Sequence, residues 1–384
     1  MLMKRFIVII VAIILGFPLN AFAAGGAFTA SGAKGAVLME AASGRVIAEK
    51  NSYEKLPVAS TTKIMTALIA LEQSGLDEAF TVDAEAIMVE GSSMGLVEGD
   101  IVTLKTLVWG MMLASGNDAA NAAAVRIAGD IEAFVGMMNE KAKEIGMKDT
   151  LFTSPSGLEA GGEPYSTAYD MALLAHAALA NEDFCEIVSS KSGKLYYGNP
   201  PYHRWMTNHN RLLWQCEDCI GIKTGFTKKA GRCLVTAARR DGLTLIAVTL
   251  GCPDDFTIHH SIYDETFKTL SFIDASSYLS NLTIPVTGAE ELSVPVGSMW
   301  PLGAFMTEEE KGHFELTIFT EPFLYAPVNA GQVIGSAEIK VDGVSLNTVP
   351  LTAIEDRPYT KYTDTRSVIQ RVRDFFNWPQ YYIM

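Results

Sequence analysis

The 384-residue sequence predicts an α+β fold: one antiparallel sheet with a helical cluster packed on it, followed by a small all-β domain. Three observations lead there. Strand-like runs open and close the stretch from Gly35 to Leu270, and apolar runs of helical period lie between them. From about Ala275 the pattern changes to short strands separated by turn residues.

In chain order, Ala36 to Met39 and Arg45 to Glu49 read as strands of a hairpin turning at Ser43-Gly44. Ser60 to Gln73 reads as a helix with Ile64, Leu68 and Leu71 on one face and Gly75 as its stop. Further helices are expected over Leu104 to Leu113 with Thr103 as N-cap, Asp118 to Ala128, Ile131 to Ile145 and Thr167 to Leu179. Gly231 to Arg239 and Leu243 to Leu250 flank Arg240-Asp241-Gly242 as a strand pair, and a last helix is expected around Ile262 to Phe272. The expected strands beyond Ala275 are Leu282–Val286, Leu292–Val296, Phe314–Phe319, Gln332–Val341 and Ser345–Leu351.

Residues 1–23 read as an export signal: Lys4 and Arg5, an apolar run from Phe6 to Gly16, then Ala21-Phe22-Ala23. At the other end, residues 365–384 place Val368, Ile369, Val372, Phe375 and Phe376 on one helical face, with Arg366, Arg371 and Arg373 elsewhere and Trp378-Pro379 closing. This amphipathic tail suits a membrane interface, or docking on the β domain. A net charge of -14 and the lack of a basic patch with interleaved aromatics exclude nucleic acid as a partner. They also argue against general attraction to anionic polymer. Cys216-Glu217-Asp218-Cys219 has CxxC spacing, but no second ligand pair accompanies it. A local disulfide or free thiols in a loop are expected among the five cysteines.

The chemistry rests on three short motifs. Ser60 and Lys63 stand i, i+3 at a helix start, on one face. There the helix dipole favours a developing alkoxide, and a desolvated lysine can accept the serine's proton. Ser31-Lys34 and Ser52-Lys55 have the same spacing, but neither opens an apolar periodic helix. Ser115-Gly116-Asn117 falls between two helices, where a hydroxyl and an amide can both face a cleft. Lys223-Thr224-Gly225 precedes the strand pair: Lys223 and Thr224 suit a carboxylate, and Gly225 permits close approach of a substrate backbone. The backbone N–H of Phe226 would join that of Ser60 as an oxyanion hole. Each motif alone is common by chance, a cap or a solvated turn. Their fixed order, each in the setting it needs, is not.

Pro57-Val58-Ala59-Ser60-Thr61-Thr62-Lys63, Ala114-Ser115-Gly116-Asn117-Asp118-Ala119-Ala120 and Gly221-Ile222-Lys223-Thr224-Gly225-Phe226-Thr227 resemble the low-molecular-mass penicillin-binding proteins. These are the serine-type D-alanyl-D-alanine carboxypeptidases of peptidase family S11. The likeness covers most of Gly35 to Leu270 and continues into the β domain. It implies a β-lactamase/transpeptidase-like catalytic domain at 24–274, a β domain at 275–364 and a membrane-anchoring tail at 365–384, on the outer face of the cytoplasmic membrane. It implies that Ser60 attacks the penultimate D-Ala of a peptidoglycan stem peptide, that Lys63 takes its proton, and that Ser115 and Lys223 assist the leaving D-Ala. Asn117, Thr224, Gly225 and Phe226 would bind substrate. β-Lactams would acylate Ser60, and no metal or organic cofactor is implied.

Two positions depart from the family pattern. Some members carry a carboxylate-binding Arg after the strand pair; none follows Arg240 in the catalytic stretch, and His259 or His260 would have to substitute. Some have a His before Gly157-Leu158, where this chain has Ser156. A β-lactamase using Glu159 or Glu163, a DD-endopeptidase or transpeptidase, and a non-catalytic wall-binding or β-lactam-sensing protein are the rival functions.

Overall fold

The structure, a computed structural model, describes residues 28, 32–159, 162–361 and 369–370. The expected export signal and, apart from residues 369–370, the expected tail lie outside these. The chain divides into two compact units, one holding residues 14–271 and the other built mainly from residues 272–384.

The first unit is organised by a five-stranded antiparallel sheet in the order β2-β1-β9-β8-β7. Its strands are β1 (Gly35–Glu40), β2 (Val46–Lys50), β7 (Cys219–Thr227), β8 (Gly231–Arg240) and β9 (Leu243–Leu250). Strands β1, β8 and β9 are buried almost end to end, because both faces of the sheet are covered. On one face Val37, Met39, Val235, Val248 and Leu250 join Ile64, Leu68, Met111, Phe134 and Leu174 in one core, so the helical cluster docks there. On the other face Leu234 packs with Leu212 and Leu213, and the helix Asp255–Thr269 lies along β8.

The helices largely follow the expected boundaries. Thr103, Asp130 and Thr167 cap the helices Leu104–Leu113, Ile131–Ile145 and Ala168–Leu179, each accepting a backbone N–H three residues on. The helix expected from Ile262 instead begins at Asp255, whose carboxylate takes hydrogen bonds from Arg232, and ends at Thr269; Ser271–Asp274 is a strand. Apolar spacing had pointed to Ile262 as the start, but an ion pair from β8 fixes the first turn. Lys223-Thr224-Gly225 precedes the Gly231–Arg240 and Leu243–Leu250 pair as expected. It lies inside β7, a third strand whose two glycines and a bulge between Cys219 and Ile222 hide its alternation. Two short pairings, β3 (Phe80–Thr81) with β4 (Ile101–Val102) and β5 (Ser192–Gly198) with β6 (Pro201–Thr207), were not legible beforehand. All five cysteines are free thiols, and Cys219 is the buried first residue of β7 rather than part of a loop.

The second unit is all-β. Its six-stranded sheet alternates strictly enough in β11 (Thr283–Thr287) and β12 (Ser293–Gly297) to bury Ile284, Val286, Val294 and Val296 on one side.

His259, considered above as a carboxylate binder, cannot serve as one. It is fully buried on the sheet face away from Ser60, with its Nδ1 2.6 Å from the Thr236 hydroxyl and its Nε2 3.0 Å from that of Thr249. Burial lowers its pKa from 6.5 to about 3. The unfolded chain therefore binds this proton first, and stability is lost as pH falls from 6.5 towards 3. His260 on the same helix is exposed beside Asp264. Thermal denaturation of the parent and His259→Gln as a function of pH is expected to show a shallower acid decline in the variant. Parallel curves would mean that His259 does not carry this dependence.

Candidate active site

Three segments converge where the helical cluster meets the edge strand β7. The first is the turn Ala59–Thr62, a 3-10 helix leading into the helix Lys63–Leu71. Ala59 is held at φ 49, which turns the chain so that Ser60 is partly exposed while Ala59, Thr61, Thr62 and Lys63 are buried. Thr61 Oγ1 donates to Val58 O at 2.6 Å and locks the turn.

Lys63 is wholly buried. Its Nζ donates to Asn117 Oδ1 and to Ser156 O, each at 2.7 Å, and lies 3.0 Å from Ser60 Oγ. Two of the three positions around the nitrogen are thus spent on fixed acceptors, and the third faces the serine. Burial pushes the Lys63 pKa well below its usual value, and Lys223 pushes it the same way; Asp118 opposes them. A neutral Lys63 directs its lone pair at the Ser60 hydroxyl.

The second segment is the break between helices. Ser115 takes φ 59 and is buried, and its hydroxyl makes no hydrogen bond among the described residues. Asn117 opens the helix Asn117–Ala128. Besides Lys63, it donates from Nδ2 to Glu90 O at 2.7 Å, and its N–H donates to Ser92 O at 2.7 Å. Sequence reasoning aimed Asn117 at the substrate; in the structure its amide oxygen is spent on Lys63.

The third segment is β7. Lys223 and Gly225 stand two apart and so share a strand face. A Cβ at Gly225 would lie 3.1 Å from the backbone nitrogens of Ser60 and Thr61. The close approach that needs glycine is that of the protein's own Ala59–Thr62 turn. Lys223 is buried, donates to Thr224 O at 3.0 Å, and has its pKa lowered to about 7 by desolvation. Because β7 is the outer strand of the sheet, its far edge offers unpaired backbone groups. The Phe226 side chain is 66% exposed.

Four features of the site escaped the sequence reading. Asp118, buried, accepts from Ser93 Oγ and from the N–H groups of Met94, Gly95 and Leu96, fixing the loop beside Asn117. It adjoined a singled-out motif, but nothing marked its partners. Ser156 holds Lys63 through its carbonyl, so the departure from His at this position leaves that contact intact. Gly157 has φ 82 and passes so close to the Ala59–Thr62 turn that a Cβ would sit 2.0 Å from Ala59 O. His209, exposed between buried Asn208 and Asn210, has its pKa lowered by partial desolvation and then by the Lys223 charge. Glu159 and Glu163 instead flank Lys229, at 3.7 Å and 2.9 Å.

Comparison with known proteins adds three findings. The family model described as D-alanyl-D-alanine carboxypeptidase, peptidase S11, matches residues 23–254, and that of the penicillin-binding protein 5 C-terminal domain matches residues 267–359. The chain is 32% identical over 334 residues to D-alanyl-D-alanine carboxypeptidase DacF of Bacillus subtilis, covering 84% of this chain and 85% of that one. It is 34% identical over 350 residues to DacC of Escherichia coli, covering 83% of each. Among solved structures it is similar to penicillin-binding protein 5 of Haemophilus influenzae, with 27% identity, a TM-score of 0.69 and coverage of 85% of this chain and 98% of that chain.

Gly157→Ala is expected to lower stability by about 2 kcal/mol or more. Gly129→Ala separates clash from backbone strain, since Gly129 has φ 87 but no atom within 4 Å of a built Cβ. Equal urea midpoints for the two variants would remove the packing role assigned to Gly157.

Proposed function

The chain belongs to the D-alanyl-D-alanine carboxypeptidase family, peptidase S11, and on that premise we propose that Ser60 is the nucleophile that releases the terminal D-Ala from peptidoglycan stem peptides. The observation that carries the assignment is the buried Lys63 amine 3.0 Å from Ser60 Oγ, with both its other directions occupied.

In the first half-reaction Ser60 Oγ attacks the carbonyl carbon of the penultimate D-Ala while its proton passes to Lys63 Nζ. The backbone N–H groups of Ser60 and Phe226 receive the oxyanion. The peptide C–N bond breaks, and the leaving amine takes its proton through the unpartnered Ser115 hydroxyl. Thr224 and the Lys223 ammonium bind the terminal carboxylate. Asn117 keeps Lys63 in line and has one amide N–H left for the substrate. The free edge of β7, beside Gly225, pairs with the extended peptide. Water then cleaves the ester and restores Ser60. β-Lactams enter the same first step and acylate Ser60. We further propose that residues 1–23 direct export and that the tail at 365–384 lies in the outer face of the cytoplasmic membrane. Among the described residues no helix is long and apolar enough to cross a membrane.

D-Alanine release from a soluble peptide ending in Lys-D-Ala-D-Ala is expected for the parent and to fall by about a thousandfold or more in Ser60→Ala. Release that survives the substitution would remove Ser60 from the mechanism. The pH profile tests the two lysines. Proton acceptance needs Lys63 neutral, so rate rises with pH on the acid side. Carboxylate binding needs Lys223 charged, so kcat/KM is expected to fall as pH rises through about 7. The bound carboxylate favours the ammonium, which moves the alkaline limb of kcat to higher pH. In Lys223→Arg the alkaline limb of kcat/KM should vanish; an unchanged limb would assign it to another group.

A further inference from the structure

The β5–β6 hairpin departs from the usual pattern of a two-stranded sheet, which is apolar toward the core and polar toward water. Its inner face is ordinary. Met206 and Tyr197 are buried, and Gly193 lies so close to Trp109 that a Cβ would come within 2.8 Å of the indole ring. The outer face is not. Across the strands Lys194 faces Trp205 and Tyr196 faces His203. Trp205 is 70% exposed and Tyr196 60%. The Tyr196 and His203 rings meet with centroids 4.8 Å apart, and the Lys194 ammonium stands 5.9 Å from the centre of the Trp205 ring. Ser192 and Thr207 complete the row. No Leu, Ile or Val belongs to this face.

The hairpin is tied to the loop that supports the site. Tyr197 Oη donates to Met94 O at 2.7 Å, and Arg204 donates to Gly95 O while its guanidinium is sandwiched between the Tyr197 and Tyr202 rings. That loop is the one Asp118 fixes and to which Asn117 donates. The rings are therefore held at a set position relative to Ser60. The charge is also unusual for this chain. Lys and Arg number 30 against 44 Asp and Glu overall, yet between Ile187 and Cys216 there is no acid, while Lys191, Lys194 and Arg211 fall there beside Arg204, whose charge is already paired with the buried Asp100.

A fixed row of exposed rings with hydroxyls and cations between them suits a polymer of sugars. A sugar ring has a C–H face that stacks on an aromatic ring and a hydroxyl edge that hydrogen-bonds to Ser, Thr, Lys and His. The acid-free segment is complementary to the carboxylates such a polymer bears. An interfacial membrane face would set its Trp and Tyr among Leu and Phe, whereas here Ser192, Lys194, His203 and Thr207 fill the row between the rings. We propose that the outward face of the β5–β6 hairpin binds the glycan strand of peptidoglycan, holding the polymer while a peptide branching from it reaches Ser60. This rests on the reaction assigned above.

The test is co-sedimentation of the full chain with insoluble peptidoglycan and with the same glycan stripped of its peptides. Trp205→Ala/Tyr196→Ala is compared with Trp205→Phe/Tyr196→Phe. The alanine pair is expected to bind both materials about tenfold more weakly, and the phenylalanine pair to recover most of the affinity. D-Alanine release from the soluble peptide should be unchanged in both. Equal sedimentation of parent and alanine pair would overturn the proposal. So would a parallel loss of soluble-peptide activity, which would mark the rings as structural. Lost binding to anionic phospholipid vesicles with glycan binding retained would assign the face to a membrane instead. A parent that releases no D-alanine would overturn the reaction; glycan sedimentation needs no turnover and decides the hairpin separately.

Discussion

A lysine enclosed without a carboxylate partner sets the terms for the rest of this site. A charged amine in such a place is costly, and the group sheds its proton rather than remain ionised. Lys63 has only neutral acceptors, Asn117 Oδ1 and Ser156 O, within hydrogen-bond reach besides Ser60. The charge that acts on it most strongly is another buried lysine, Lys223, which pushes in the same direction. Asp118 could reverse this if its carboxylate reached Lys63, but its oxygens are taken by Ser93 and four backbone N–H groups. The loop that Asp118 fixes thus also limits how far its charge offsets the lowering of the Lys63 pKa.

Holding that amine in place requires backbone conformations that L-residues seldom adopt. Ala59 and Ser115 both have positive φ, one just before Ser60 and one at the interhelical break. Gly157 supplies the space against the Ala59 carbonyl, and Gly225 the space against the Ser60 and Thr61 nitrogens. Such strain persists only where the surroundings over-determine it. Here the sheet, the helical cluster and the Asp118 loop each supply one wall. The site is therefore held firmly around Lys63 and Ser60, where the proposed proton transfer would need short distances, and open along the free edge of β7, where the proposed peptide would pair.

Much of this was legible in the sequence, because the elements that carry it have strong periodicity. The helices Leu104–Leu113, Ile131–Ile145 and Ala168–Leu179 are long, apolar on one side and capped by Thr or Asp, so pattern and cap agree. The strands β8 and β9 are apolar, β-branched runs on a two-residue turn. Strand β7 was lost because glycines at 221 and 225 remove half of its alternation. The β5–β6 hairpin was lost because its solvent face carries Trp and Tyr where polar residues are the usual signal. His259 was misjudged because spacing alone cannot tell which face of a sheet a helix covers.

The sequence by itself determined the residue types and their order: a serine and lysine one helical turn apart, a Ser-Gly-Asn break between helices, and a Lys-Thr-Gly just before a strand pair. Those are local properties, set by three-residue spacing and by propensity. Only the tertiary structure decided that these segments meet, that Lys63 and Lys223 lose their water, and that Asn117 serves the lysine through its amide oxygen. Desolvation depends on every chain segment that covers a group. Here those segments run from Glu90 to Gly225, and no local pattern encodes their convergence.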